Sequence, residues 1–257
     1  MNYIENYKIT IIDNEQKISE FINFLNKFYE YNKKNKYVSI DFEYTNNKIK
    51  LWQVCFYYKK SNTIFVIMEK YINKNNMNII IDKLLTSKII KIFHGGESLD
   101  FPYLIKVINN PKKIYKFLKY SFDTKFLCEY YKSQKNDKQI CNIYDAMLYF
   151  KVMTQNKYDE LQEINKKNGP IWKVNWDNIN KNNNLLIYTI YDVIYLKDLL
   201  LKMYELYKNE DLKKDFYSLQ KINIYVILKR NNINYDYKIK IENDYKYKVI
   251  SYYKNII

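Results

Sequence analysis

The sequence predicts an α/β fold: a mixed sheet, made of an antiparallel three-strand meander plus parallel strands, with helices on both faces. Three observations predict it. Strand-like segments at Tyr37–Tyr44, Ile49–Tyr58 and Thr63–Met68 follow one another with only the turn-forming tracts TNNK and KKSN between them, the economical pattern of a meander. Beyond them strand and helix signals alternate, which places helices over a partly parallel sheet. Hydrophobic residues make up 47% of the 257 positions, enough to bury a core between such layers.

In chain order, Tyr7–Asp13 (YKITIID) reads as a short strand. Residues 14–31 read as a helix, because Ile18, Phe21, Ile22, Phe24 and Leu25 recur at helical spacing. The KKNK run at 33–36 is a solvated connection to the meander. A helix is predicted over Met77–Thr86, a buried strand over Ile89–Phe93, a helix over Leu99–Ile108 and a very short strand over Tyr120–Phe122. From Asp123 helical periodicity dominates to about Lys208, broken at Asn168-Gly169-Pro170, a loop signal. Leu212–Lys229 reads as one more helix. After it Tyr235, Tyr237, Ile239 and Ile241, then Tyr245, Tyr247 and Val249, alternate with polar residues on either side of Glu242-Asn243-Asp244, predicting a β-hairpin. The organisation expected is one domain over 1–208 and an extension over 209–257, with no internal repeat.

The formal net charge is +15 and the sequence pI about 9.3. Such a balance ordinarily points to a polyanionic partner. Here it is permissive only: the chain is swollen with Lys, Asn, Ile and Tyr (30 Tyr), all with A/T-rich codons, and Arg230 is its sole arginine. Cys55, Cys128 and Cys141 are odd in number and lack CxxC spacing, so neither a disulfide framework nor a zinc site is expected, and a reducing compartment fits. The start MNYIENYKITIID lacks a signal peptide's apolar run, and no stretch of about 18 uncharged apolar residues appears. The expectation is a soluble intracellular protein of cytoplasm or nucleus, with no membrane partner.

Three segments carry chemistry. In VSIDFEY, Asp41 and Glu43 stand two apart on a strand, so both carboxylates leave one face while Phe42 points to the other. Two acids so placed repel each other unless a cation lies between them; taken alone, such a pair is more often a solvated strand edge. In YTIYD, Tyr188 and Asp192 stand four apart and share a helical face. The surroundings are strongly apolar, where an unpaired acid is costly to bury; taken alone, the segment reads more readily with Asp192 on an exposed stripe and Tyr188 as ordinary core. In KIFHGGESLDFPYL, a strand runs into Gly95-Gly96 and then a helix bearing Asp100. Two of the chain's 3 glycines fall at this point, which indicates a tight turn or a close backbone approach. The sole histidine, His94, reads as a turn-stabilising residue without a catalytic role.

Taken together and in this order, a strand DxE, a strand–turn–helix Asp and a helical YxxxD resemble the DEDDy branch of the DnaQ-like 3′→5′ exonucleases, and most of all the ribonuclease D and Werner-type exonuclease domains. KIKLWQVCFYY resembles that family's second strand with its glutamine, here Gln53. SFDTKFLCEYY resembles its short strand and Asp-Thr, here Asp123 and Thr124, and VNWDNINKNNNLLIYTIYDVIYLKDL its tryptophan-bearing approach to the third motif, here Trp176. The likeness covers about residues 7–207. Two departures stand out: Asp100 lies one residue farther from His94 than in the commonest form of the motif, and Trp-Asp-Asn-Ile replaces the usual Arg-Pro after the tryptophan.

The resemblance implies a ribonuclease H-like fold and hydrolysis of phosphodiester bonds from a free 3′ end of RNA or DNA, releasing nucleoside 5′-monophosphates. It implies two divalent cations, Mg²⁺ or Mn²⁺, about 3.5–4 Å apart. Asp41, Glu43 and Asp192 would ligate one, Asp41 and Asp100 the other, and the Tyr188 hydroxyl would orient the attacking water. Hard oxygen ligands select such hard cations. Phe42, Leu51, Trp52 and the tyrosines around Tyr103 are candidates for stacking on terminal bases, with Phe42 expected to pack inward. The alternative is a catalytically silent exonuclease-fold module that binds nucleic acid or protein; the presence of all four acids and the tyrosine favours the enzyme.

Overall fold

The computed structural model describes residues 2–4, 6–31, 36–57, 62–137 and 141–233. The hairpin expected between Tyr235 and Val249, and most of the KKNK run, lie outside the described residues. The chain begins with β1 (Asn2–Ile4), β2 (Tyr7–Ile12), α1 (Glu15–Tyr31), β3 (Tyr37–Thr45), β4 (Lys48–Phe56) and β5 (Asn62–Met68). It continues with α2 (Lys74–Ile80), β6 (Ile90–Phe93), α3 (Asp100–Ile108), α4 (Pro111–Lys119), β7 (Ser121–Asp123) and α5 (Thr124–Gln134). The last elements are α6 (Ile143–Tyr149), α7 (Gln155–Asn168), α8 (Asn183–Ile194), α9 (Leu196–Asn209) and α10 (Lys213–Arg230). Two compact units emerge, one formed by 1–92 and 153–197, the other by 93–152 and 198–257.

In the first unit six strands form a mixed sheet in the order β1-β2-β5-β4-β3-β6. β3, β4 and β5 make the antiparallel meander, while β2 joins β5 and β6 joins β3 in parallel. The β3–β4 connection is a tight two-residue turn with Asn46 and Asn47 both left-handed, at φ 52° and 59°. Asparagine tolerates that conformation better than other non-glycine residues, and a turn of this hand matches the twist of the strands it joins.

Strand alternation divides the sheet into two chemically different faces. Phe42 pairs with Trp52, and these two rings sit 4.8 Å apart edge to face. Phe56 follows on the same face, where Phe21, Phe24 and Phe28 of α1 surround it and Phe65; Phe28 and Phe56 are 4.8 Å apart and Phe21 and Phe65 4.9 Å. Each such ring pair adds about 0.5–1.5 kcal/mol to the area it buries. The opposite face carries Asp41 across from Gln53, and receives α8 against β3, β4 and β5. Helices therefore cover both faces, as the sequence predicts. Phe42, Leu51 and Trp52 are all buried at 5% exposure or less, so none offers an open stacking surface.

Two sequence readings need refinement. The helix expected over Met77–Thr86 starts earlier, capped by the Asn73 side chain, and ends in a single π turn at Ile81–Leu85. The reading also passes over α4, whose start is set by Asn110, whose side chain accepts the Lys113 N–H, and by Pro111 at the first helical position, where a missing N–H costs nothing.

The second unit packs α10 against α4 and α5. Phe93, Phe101 and Phe117 form a ring triad at 4.9–6.0 Å. Tyr207 donates to the Leu127 carbonyl at 2.6 Å, and Tyr130 to the Asp215 carboxylate at 3.0 Å. The expectation of no disulfide is corrected here: Cys128 and Cys141 are joined, with Cα atoms 6.1 Å apart. Cys128 sits on α5 and Cys141 immediately before α6, and the return of the chain beside its own helix is a tertiary event that cysteine spacing does not reveal. Cys55 forms no disulfide among the described residues and is buried in the sheet.

Candidate metal centre

Asp41 and Glu43 lie near the carboxyl end of β3, where the pairing with β4 shifts register between Glu43 and Tyr44. Asp192 comes from α8, packed on that face. Ligand oxygens of the three lie within 4.8 Å of one another. Glu43 and Asp192 are buried, at 4% and 6% exposure, and Asp41 is half-buried. Gln53, paired with Asp41 across the sheet, donates its amide to Glu43 Oε1 at 2.9 Å, which fixes the orientation of that carboxylate. Three acids this close repel one another unless a cation offsets them, and an all-oxygen donor set of this kind suits a hard divalent ion. The residues present fit a divalent metal.

Tyr188 sits one helical turn before Asp192 on α8, half-buried, with its ring 6.5 Å from that of Trp176. The turn bearing Trp176 and the Asn182 side chain, which caps α8 by accepting the Leu185 N–H, set where this helix begins. Its other end is held from the sheet. Tyr57, just past β4, places its hydroxyl 2.8 and 2.9 Å from the Val193 and Ile194 carbonyls, and 2.7 Å from Ser39 Oγ. Tyr7 reaches the Ile194 carbonyl at 3.3 Å. Burial pushes the Tyr57 phenol well above its ordinary range, so it stays a donor. Motif reading does not find these tyrosines, because their partners are backbone carbonyls more than a hundred positions away. Tyr57→Phe is expected to cost about 1–3 kcal/mol, the scale of orphaned buried acceptors. It should also loosen Mn²⁺ binding through Asp192; chemical denaturation with and without Mn²⁺ checks both, and a variant as stable and as metal-responsive as the parent would refute the tether.

Asp100 lies in the second unit, at the first position of α3, and is 7% exposed. The two glycines before it have separate reasons. Gly95 is left-handed at φ 76°, whereas a Cβ on Gly96 would meet Asp100 Oδ2 and the Phe101 ring at 3.4 Å. Both glycine N–H groups donate to the Asp123 carboxylate, at 2.9 and 2.8 Å, and so does Lys125 N–H, at 2.9 Å. Asp123 thus clamps the turn that presents Asp100. Burial first, and Glu97 beside it, push the Asp123 carboxyl up to about 7 against those three donors. His94 places Nε2 2.8 Å from the Cys141 carbonyl and Nδ1 2.9 Å from the Thr124 hydroxyl, and burial holds its imidazole down at about 4. It is a neutral structural residue, consistent with the role read from sequence.

No protein-family profile matches the sequence. A curated relative, Uncharacterized protein L533 of Acanthamoeba polyphaga mimivirus, is 32% identical over 222 residues, covering 78% of this chain and 44% of the relative. Among solved structures, Trypanosoma brucei RNase D in complex with GMP superposes with a TM-score of 0.56 at 15% identity, covering 86% of this chain and 63% of that one. Brucella melitensis NrnC bound to pGG gives 0.51 at 15% identity, covering 89% and 91%. The Aedes aegypti Nibbler EXO domain gives 0.53 at 9%, covering 86% and 95%. The chain spans less than two thirds of the mimivirus relative and of the trypanosome enzyme. At these identities the structures establish the fold: a ribonuclease H-like α/β domain of the kind found in RNase D, NrnC and Nibbler, in agreement with the resemblance drawn from the motifs.

Proposed function

We propose that this chain is a metal-dependent 3′→5′ exonuclease that removes nucleoside 5′-monophosphates from a free 3′ end of RNA or DNA, with 1–208 as its catalytic region and 209–257 as an extension. The observation that carries the reading is the convergence of Asp41, Glu43 and Asp192 within 4.8 Å, in a fold shared with exonuclease domains. Among the described residues no helix is long and apolar enough to cross a membrane.

In this proposal Asp41, Glu43 and Asp192 hold a divalent cation, Mg²⁺ or Mn²⁺. Asp100 joins the ligand set for a second one on the strength of its motif. When bound, such ions lower the pKa of water and offset the charge that builds on the attacking and leaving oxygens at phosphorus. Gln53 keeps Glu43 from swinging away, and Tyr57 keeps the end of α8, and with it Asp192, against the sheet. The Tyr188 hydroxyl orients the attacking water. With an ordinary pKa of about 10, a tyrosine is a poor base and serves by position.

The test is incubation of single-stranded RNA and DNA, labelled at either end, with Mn²⁺ or Mg²⁺. Labelled mononucleotide should appear from the 3′ label at the earliest time points, while the 5′-labelled strand shortens stepwise. EDTA should stop both. Internal cleavage fragments, or hydrolysis that continues in EDTA, would reject the reading.

A further inference from the structure

The first unit contains a pocket of about 360 Å³ where the end of β3, the start of β4 and the end of β5 meet residues 173–177. Three lysines line it: Lys50, Lys70 and Lys173. Against them stand Glu69 and Asp177, and Asp177 is already engaged by Lys70 at 2.6 Å. That contact first, and the charge of Lys50 to a lesser degree, hold the Asp177 carboxyl below its usual range. Lys50 and Lys173 form no salt bridge among the described residues, so this wall presents net positive charge. Ile49, Met68 and Val174 also line the pocket, the first two nearly buried at 8% and 5% exposure. Two further lining residues, Thr45 and Trp176, bury a polar atom, Oγ1 and Nε1, that has no hydrogen-bond partner among the described residues. A buried donor left unmade costs about 1–3 kcal/mol, which an acceptor entering the pocket would recover. The pocket adjoins the acidic trio along one strand: Thr45 stands two residues beyond Glu43, and lining residue Leu51 is the register partner of Glu43.

Lysines, an apolar lining and unused donors in a volume of this size match one ligand chemistry. We propose that the pocket binds a nucleoside phosphate, with Lys50 and Lys173 meeting the phosphate and half-buried Val174 beside the base. The ligand is either a unit of a nucleic-acid strand or a free mononucleotide. The site lies next to the proposed nuclease centre but contains none of its metal-binding acids, so it is measured with metal removed.

The experiment is calorimetric titration in EDTA with UMP, uridine, inorganic phosphate and a five-nucleotide oligouridylate. The proteins are the parent, Lys50→Glu/Lys173→Glu, and Lys166→Glu/Lys167→Glu as a charge-matched control on the exposed face of α7. UMP should bind the parent more tightly than uridine or phosphate does, weaken at least tenfold in the Lys50/Lys173 variant, and keep its affinity in the control. A tighter oligonucleotide that UMP displaces identifies the strand as the source; equal affinity for the two identifies the free nucleotide. The proposal is overturned if both double variants lose binding alike, if neither does, or if phosphate alone matches UMP. Absent hydrolysis with UMP binding intact would sink only the nuclease reading. Intact hydrolysis with lysine-independent UMP binding would sink only this one.

Discussion

Replacing Asp41 with asparagine is expected to lower metal-dependent hydrolysis by roughly 10²–10³-fold or more, the scale of losing one preorganised electrostatic group at a reacting centre. Asparagine keeps the size of aspartate and stays on the same face of β3, so what is lost is charge. The remaining pair, Glu43 and Asp192, holds a divalent cation less tightly, because hard cations are bound in proportion to the negative oxygens offered. The effect on stability has the opposite sign. Without metal the parent carries three carboxylates within 4.8 Å, and deleting one charge relieves repulsion. In EDTA the variant should melt at the same temperature as the parent or slightly above it. With Mn²⁺ the parent should gain more, since a ligand that binds only the native state raises its stability. Thermal melts in both buffers beside the activity assay decide the matter. A variant that melts well below the parent in EDTA would show Asp41 to be a structural residue, and undiminished hydrolysis would remove it from the centre.

The second large effect is expected at Asp123. Asp123→Ala strips the partner from three N–H groups, those of Gly95, Gly96 and Lys125. At about 1–3 kcal/mol for each buried donor, and less for those near solvent, the loss should reach about 3 kcal/mol. The same residue governs pH dependence. Its folded-state pKa, about 7, lies above the ordinary 3.8, so the stability it contributes is fully present below about 4 and is lost as pH rises toward 7. His94 acts in reverse: its folded pKa of about 4 lies below the ordinary 6.5, so its contribution grows as pH rises through that interval. Over pH 4–6.5 these two contributions oppose each other. Asp123→Asn leaves the histidine unopposed, and the variant, though weaker throughout, should gain stability steadily across that range. Urea denaturation at four or five pH values measures this; a flat or falling profile in Asp123→Asn would contradict the assignment.

What the sequence reveals and conceals follows from the range of the interactions involved. Asp41 and Glu43 are legible because a strand's two-residue period fixes their common face, and Tyr188 and Asp192 because a helix fixes theirs. Each is a local geometric fact, and the order of the motifs along the chain supplies the link between them. The meander is legible for a similar reason, since Asn46 and Asn47 announce a turn that only a few residue types accommodate. The role of Tyr57 is not legible, because nothing near it in sequence indicates that its hydroxyl will meet the end of α8. The Cys128–Cys141 bond hides in the same way. The start of α4 was legible in principle, with Asn110 and Pro111 forming a helix entrance and Ile114, Phe117 and Leu118 recurring at helical spacing on its buried face, and its shortness and many lysines are what let it be read as a connection. Asp100 is placed at the start of α3 by its motif and by the Gly95-Gly96 turn.

The acids that converge on β3 and α8 come from opposite ends of an excursion of about one hundred and fifty residues, and contacts so distant in sequence form late and slowly during folding. A chain still emerging from the ribosome can complete the meander, yet it carries only two of the three carboxylates until α8 has been synthesised and docked. On the proposed function, the cation site is completed only once α8 has docked, and nascent or truncated chains that stop short of residue 192 should fail to hydrolyse RNA or DNA.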